Sequence, residues 1–181
     1  MKSLHFLCLA TILCSLSTTA QITKGNFMVG CNGSFYKYTI KNESGNEVQS
    51  GTQIILQPNI GYFFINNLAA GLNTVYTYSK SKGGNSSSGY GFGPFVRYYF
   101  LESEQNINVL LEASYNYSSG FSNPDFTTTY SLKTGPVIYF NSSVGLELLA
   151  SYNRNYYSND SYKEGVFQFV IGLQVHLDKN N

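Results

Sequence analysis

The sequence is poor in charge and in cysteine, and it has no tryptophan. Asp, Glu, Lys and Arg make up 12% of the 181 residues, against about 25% in ordinary soluble domains. The formal net charge is +1, so no basic surface for nucleic acid is indicated. Cys31 is the only cysteine after residue 20. A disulfide within that part is therefore excluded, and we interpret Cys31 as a small apolar strand residue.

Residues 1–20 have the pattern of a cleaved signal peptide. Lys2 provides a positive start, the segment 6–16 is apolar, and Thr18-Thr19-Ala20 supplies small residues before a cleavage site. We therefore expect residues 1–20 to be removed and residues 21–181 to form one exported domain. After the leader, no apolar run approaches the 18 residues that a membrane-spanning helix requires.

Aromatic residues are abundant, at 16% of the chain, with 16 tyrosines and 13 phenylalanines. An exported chain with few charges and no spanning helix has one remaining way to cross a membrane. That way is a closed β-barrel, because closure pairs every backbone polar group away from water.

Apolar and polar residues alternate with period two along most of the chain, which indicates strands with two unlike faces. Phe167, Phe169, Ile171, Leu173 and Val175 share one face of the last strand, for example. Eight such segments lie near residues 25–37, 52–64, 68–78, 89–100, 106–117, 127–140, 143–153 and 167–177. The sequence therefore predicts an all-β fold, an eight-stranded antiparallel up-and-down transmembrane β-barrel.

The connectors are predicted to alternate in length. Long polar connectors lie near 38–51, 79–88, 118–126 and 153–164, and short ones lie near 66–67, 101–105 and 141–142. Outer-membrane barrels place long loops outside the cell and tight turns in the periplasm. Local β-bulges are expected at Pro58, Pro94 and Pro136, since proline removes a hydrogen bond from the ladder.

The apolar face is banded along the predicted strands. Aliphatic residues fill the middle, where we expect Leu111, Leu148, Ile171 and Leu173 to form a lipid-facing belt. Aromatic residues fall at both ends, as expected of two girdles at the lipid–water interfaces. The predicted girdles contain Tyr76, Tyr90, Tyr115, Tyr130 and Tyr152 at the outer end and Tyr62, Tyr98, Phe100 and Phe140 at the periplasmic end. A soluble barrel, the structural alternative, would show water a face rich in Lys and Glu, which is absent here.

Two segments carry a family resemblance. The first segment is residues 56–71, with Leu56-Gln57-Pro58-Asn59-Ile60-Gly61-Tyr62-Phe63 and then a turn at Asn66-Asn67. The second is residues 91–100, Gly91-Phe92-Gly93-Pro94-Phe95-Val96-Arg97-Tyr98-Tyr99-Phe100. Both segments resemble the outer-membrane-protein β-barrel domain family. This group of small barrels includes the OmpA transmembrane domain and OmpX. The resemblance implies insertion by the barrel-assembly machinery.

The resemblance also implies an assembly signal in the last strand, which Gly172, Val175 and Leu177 match. The chain departs from the family pattern in its last residues, since no aromatic residue ends the strand. It also departs at Val170, which occupies a position where a polar residue is usual.

Four charged residues carry the parity of the polar face, namely Arg97, Glu112, Lys133 and Glu147. We expect them to form a charge network inside the barrel, because confined charges are costly unless they are paired. Counting along the hairpin places Glu112 beside Lys133. Arg97 and Glu147 lie three strands apart, so any contact between them must cross the lumen.

No motif of a catalytic or metal site is recognisable, and we expect no catalytic residue, cofactor or metal. A lipid A-modifying barrel would need a histidine that activates a serine. His176 is the only histidine after the leader, and we expect it at a strand end near the headgroups, away from the outer leaflet.

The leading hypothesis is a non-enzymatic protein of the cell outer membrane with a plugged polar lumen and four surface loops for structural or adhesive roles. A narrow small-solute pore gated by the charge network is the second hypothesis, and a lipid A-modifying enzyme is the third. The expected partners are outer-membrane lipid, the barrel-assembly machinery and an extracellular ligand of the loops, whose identity the sequence does not give. We expect no nucleic acid partner and a monomer.

Overall fold

The structure is a computed structural model, which describes residues 22–41, 44–45, 47–102, 105–120, 126–158 and 163–178. The predicted leader, residues 1–20, lies outside the described residues. None of the described residues forms a helix long and apolar enough to cross a membrane.

Eight antiparallel strands close into a barrel in which each strand pairs with its neighbours in sequence and β8 pairs with β1. The strands are β1 (Phe27–Lys41), β2 (Glu47–Ile65), β3 (Leu68–Ser81), β4 (Ser86–Tyr99), β5 (Ile107–Gly120), β6 (Phe126–Tyr139), β7 (Val144–Tyr157) and β8 (Lys163–Leu177). The predicted eight-stranded up-and-down barrel is confirmed. We call the end that holds Phe27 and Leu177 the proximal end, and the opposite end the distal end.

The strands extend further at the distal end than the sequence predicts. The distal connectors cover only residues 42–46, 82–85, 121–125 and 158–162, so the prediction of long loops at 38–51, 79–88, 118–126 and 153–164 was wrong. Polar residues occupy both faces at several of these strand ends, as in Ser86-Ser87-Ser88 and Ser118-Ser119, and without an apolar face the period-two pattern disappears there. The proximal connectors cover 66–67, 100–106 and 140–143. Connector length therefore does not distinguish the two ends.

The expected bulges at Pro58, Pro94 and Pro136 are not found. Each proline instead interrupts the ladder to the following strand for two residues, after which the register resumes unchanged. The flanking pairs are Leu56↔Tyr76 and Asn59↔Asn73, Phe92↔Tyr117 and Phe95↔Ser114, and Thr134↔Ala150 and Val137↔Glu147. Since no residue is inserted, the missing proline N–H costs ladder hydrogen bonds without moving any side chain to the other face.

The proximal half of the lumen is a packed apolar core, in contrast to the polar lumen that the sequence predicts throughout. It contains Ile22, Met28, Phe63, Ala69, Phe95, Tyr99, Leu110, Val137, Tyr139, Leu149 and Val170. The segment before β1 closes this end, because Gly25 N donates to Phe63 O and Asn67 N donates to Ile22 O, both at 2.8 Å. Val170, which departs from the family pattern, belongs to this core.

The outer surface carries the apolar bands in the predicted order. All predicted belt and girdle residues are exposed on the outside of the barrel. Neighbouring girdle residues also contact one another, with ring centroids of Tyr115 and Tyr130 at 5.2 Å and of Tyr98 and Phe100 at 5.1 Å. The inside of the same strands holds the buried residues, so the two faces differ as the alternation predicts.

Candidate functional site

The register of three neighbouring strands sets three charged side chains side by side. Arg97 on β4 lies opposite Glu112 on β5, and Glu112 lies opposite Lys133 on β6. All three point into the lumen because they share the inward parity of the pleat. Glu147 on β7 reaches these three side chains from the next strand, where it lies opposite Val137 of β6.

The four predicted network residues are in direct contact. Arg97 Nη2 lies 2.5 Å from Glu112 Oε2, and Arg97 Nη1 lies 2.5 Å from Glu147 Oε1 across the lumen. Lys133 Nζ lies 2.9 Å from Glu112 Oε1. Each of the four residues is at most 2% exposed. Two cations and two anions therefore form a compact, neutral group at mid-barrel, as charges removed from water require.

Three uncharged residues, which the sequence does not predict as members, complete this network. Arg97 Nη1 also donates to Tyr99 Oη and to Gln174 Oε1, both at 3.2 Å. Lys133 Nζ donates to Gln57 Oε1 at 2.8 Å. The sequence pattern places all three residues on the inward face of their strands. That pattern alone does not predict which inward residues contact the same charged group.

Gly172, expected in an assembly signal, also has a place in the lumen. It lies directly opposite Glu147 on the neighbouring strand. A Cβ atom at Gly172 would come within 2.1 Å of Asn32 Oδ1 and 3.0 Å of Glu147 Oε2. The glycine therefore leaves room for the Glu147 carboxylate. The other two signal residues, Val175 and Leu177, are half-buried and exposed, respectively.

His176 lies inside the barrel, so its expected place near the headgroups was wrong. The imidazole is fully buried among the rings of Phe63, Tyr99 and Tyr139, at centroid distances of 5.6, 5.8 and 5.7 Å. Even-numbered residues at the end of β8 face inward, and the proximal lumen is aromatic rather than aqueous. His176 is therefore a member of the proximal packing.

The distal half of the lumen is a polar cavity of about 490 Å³, which we call the vestibule. Most of its lining residues carry a hydroxyl or carboxamide group, Ile55, Val75 and Val166 add apolar surface, and no side chain of Asp, Glu, Lys or Arg is among the described lining residues. The polar lining is Tyr36, Gln53, Gln57, Thr77, Ser79, Ser87, Ser88, Asn116, Ser118, Ser119, Thr127, Thr129, Ser131, Asn153, Asn155, Tyr157 and Gln168. Gln57 lines the vestibule and also accepts a hydrogen bond from Lys133 of the charge network. The charge network therefore lies directly beneath the vestibule.

No protein-family model and no curated protein matches the sequence. Several solved structures share its fold, and two of them are small outer-membrane proteins. Neisserial surface protein A (NspA) has a TM-score of 0.55 and 18% identity, and the match covers 85% of this chain and 97% of that chain. The outer membrane protein OprG from Pseudomonas aeruginosa has a TM-score of 0.52 and 15% identity, with 87% of this chain and 99% of that chain covered. The chain thus has the fold of small eight-stranded outer-membrane barrels.

Proposed function

We propose that the chain is an integral protein of the cell outer membrane, exported with a cleaved leader, whose barrel is closed to solutes and whose activity is non-enzymatic binding at the distal face. The resemblance to OmpA- and OmpX-like barrels supports insertion by the barrel-assembly machinery, and we propose that the protein is a monomer. The exposed aliphatic belt between two aromatic bands supports contact with lipid.

The observation that carries the closed barrel is the double blockage of the lumen. The charge network crosses the lumen at mid-barrel, and buried apolar side chains, among them Met28, Phe63 and Tyr139, occupy the lumen proximal to it. A barrel of eight strands has an interior just wide enough for its side chains. A gate made from the charge network alone would still leave the proximal core in the way of a solute, which weighs against the small-solute pore.

The position of His176 weighs against a lipid A-modifying enzyme. A general base must come within hydrogen-bond reach of the group it deprotonates. His176 is enclosed by aromatic rings at the proximal end, and the charge network separates it from the distal vestibule. These rings and charged groups lie between the imidazole and a substrate at the distal end of the barrel.

The distal face is the surface left for a function. It presents the vestibule, the ends of all eight strands and the four distal connectors, and loops on a rigid scaffold commonly carry recognition. We propose that these features hold the structural or adhesive role of the protein.

Conductance tests the closed barrel. Wild-type protein and the Arg97→Met variant are incorporated into planar bilayers at equal amounts, with incorporation checked by the shift in mobility between unheated and boiled samples on SDS gels. We expect no single-channel steps from either protein, because the proximal core remains after the network is broken. Steady steps from the wild type would overturn the proposal, and steps from the variant alone would favour the gated pore.

A further inference from the structure

Strands β1 and β8 pair along only the proximal part of their lengths. The pairs run from Phe27↔Leu177 to Gly33↔Ile171. Both strands continue distally, yet none of the described residues 34–41 pairs with any of the residues 163–170. The other seven neighbouring strand couples stay paired to the distal end, as in Lys80↔Ser86 and Tyr156↔Lys163. The backbone ladder is therefore open between β1 and β8 at the distal end, and we call this opening in the ladder the seam.

The seam leads into the vestibule. Tyr36 of β1 and Val166 and Gln168 of β8 flank the opening, and all three line the vestibule. A hydrogen bond from Ser34 Oγ to Gln168 Oε1 crosses the seam at 3.4 Å. At the seam, therefore, only side chains separate the cavity from the outside. Between the other strands a ladder of backbone hydrogen bonds separates the two.

The outer side of the seam is apolar. Phe35 on β1 and Phe167 and Phe169 on β8 point outward on its two sides, and Phe169, at 76%, is the most exposed large apolar side chain among the described residues. The rings of Phe167 and Phe169 pack edge to face at 5.5 Å. Phe167 lies opposite the girdle residue Tyr152. The seam thus opens at the level of the distal aromatic band.

The inner side of the seam is polar and uncharged. Asn116 lines the vestibule and is 2% exposed, and neither its amide nitrogen nor its amide oxygen has a hydrogen-bond partner among the described residues. Buried polar groups are costly when they are unpaired. The floor offers no free charge, since Lys133 and Glu112 bind each other. A neutral group with several hydroxyls would match this lining.

We propose that the vestibule and the seam together bind an amphiphile of the surrounding bilayer that has an uncharged, hydroxyl-rich head and an apolar chain. The head lies in the vestibule, where hydroxyl and amide groups bind it. The chain passes through the seam and lies against Phe167 and Phe169. The vestibule has a volume of about 490 Å³, which is within the range of small-molecule sites, roughly 300–1,000 Å³. This inference rests on the proposed membrane insertion.

A fluorescence experiment tests the inference, because the chain has no tryptophan of its own. Phe169→Trp places one reporter at the seam, and Phe140→Trp places a matched reporter on the proximal exterior, where the side chain is 63% exposed. Both variants are inserted into dioleoylphosphatidylcholine vesicles and titrated with dodecyl maltoside brominated on its chain. We expect saturable quenching at the seam reporter and linear quenching, from simple partitioning, at the proximal reporter.

Competition defines the ligand. Unbrominated dodecyl maltoside should remove the saturable quenching, whereas dodecylphosphocholine, dodecyl sulfate and free maltose should leave it. Equal competition by the charged amphiphiles would overturn the assigned head chemistry. Full competition by maltose would overturn the passage of the chain through the seam.

Two buried asparagines supply a matched pair of variants. Asn116→Leu in the Phe169→Trp protein should weaken the saturable binding at least tenfold. Asn73→Leu should not, because Asn73 is equally buried and equally without a partner among the described residues but does not line the vestibule. Equal effects of the two changes would overturn the role of the vestibule.

Brominated phosphatidylcholine separates the two levels of failure. If it quenches both reporters, the chain is inserted, and linear quenching by the maltoside at the seam then overturns this inference alone. If it quenches neither reporter, the proposed membrane insertion fails, and the inference fails with it.

Discussion

Replacing Arg97 with methionine removes the cation that joins two buried carboxylates. Glu112 keeps its contact with Lys133 at 2.9 Å. Glu147 loses the 2.5 Å ion pair to Arg97 and is fully buried. The lumen then holds two anions and one cation, and one of the anions, Glu147, has lost its salt bridge.

The size of the effect follows from these contacts. Removing one partner of a buried ion pair costs about 3–5 kcal/mol, since the remaining charge stays in a dry site. Lys133→Met should cost less, about 1.5–3 kcal/mol for a lost hydrogen bond to a charged group, because Glu112 retains two hydrogen bonds from Arg97. We therefore expect Arg97→Met to be the more destabilising of the two changes.

A double variant separates charge balance from packing. Arg97→Met with Glu147→Gln leaves the Glu112–Lys133 pair as a balanced unit, so it should be more stable than Arg97→Met alone. With Glu147→Gln as the second single variant, the double-mutant cycle should give a coupling energy of about 0.5–3 kcal/mol between Arg97 and Glu147. The free energy of unfolding is measured by urea titration in phospholipid vesicles, with the folded fraction read from unheated gels. A double variant less stable than the single one, or single variants equal to the wild type, would refute this reasoning.

Three further predictions concern the membrane. The folded protein should run at a different mobility in unheated and boiled SDS samples, and identical mobility with recovery in the soluble periplasm would contradict insertion. The predicted outer girdle lies toward the distal end, so we expect this end to face outside the cell. In a Cys31→Ser background, Ser87→Cys at the distal end should therefore react with an impermeant maleimide on intact cells and Asn66→Cys only after the outer membrane is broken; the reverse pattern would invert the orientation. Leu148→Arg on the belt should cost about 2–4 kcal/mol of unfolding free energy, whereas Thr39→Arg, exposed at the distal end, should cost almost nothing, and equal costs would contradict the belt.

Period-two alternation was enough to predict the strand count, the barrel and the inward parity of the charges. Hairpin counting also gave the register at Glu112 and Lys133 correctly, because both residues lie on strong alternating segments joined by one connector. The distal strand ends could not be predicted in this way. There both faces are polar, and a wet strand of serine and threonine has the same composition as a loop.

The proximal core was missed for the opposite reason. Phe63 and Tyr99 have the inward parity, but both lie among outward-facing aromatic residues, so the local sequence is apolar at every position. Val170 was a visible sign, since it is apolar on a face expected to be polar. The seam had no signal at all, because residues 34–41 and 163–170 are far apart in sequence and their missing pairs depend on the closure of the whole barrel.

The proximal core affects the proposed export of the chain to the outer membrane. At the proximal strand ends one side of each strand faces the core and the other faces outward, so the unfolded chain carries short runs that are apolar throughout, such as residues 62–65, 98–101 and 137–140. Uncharged segments of about five to seven residues with high β-propensity self-associate when water surrounds them, and residues 60–65 extend the first of these runs to that length without a charge. Aggregation in transit should therefore compete with insertion, and the yield of folded barrel should depend on a holding chaperone that covers these runs until they reach lipid.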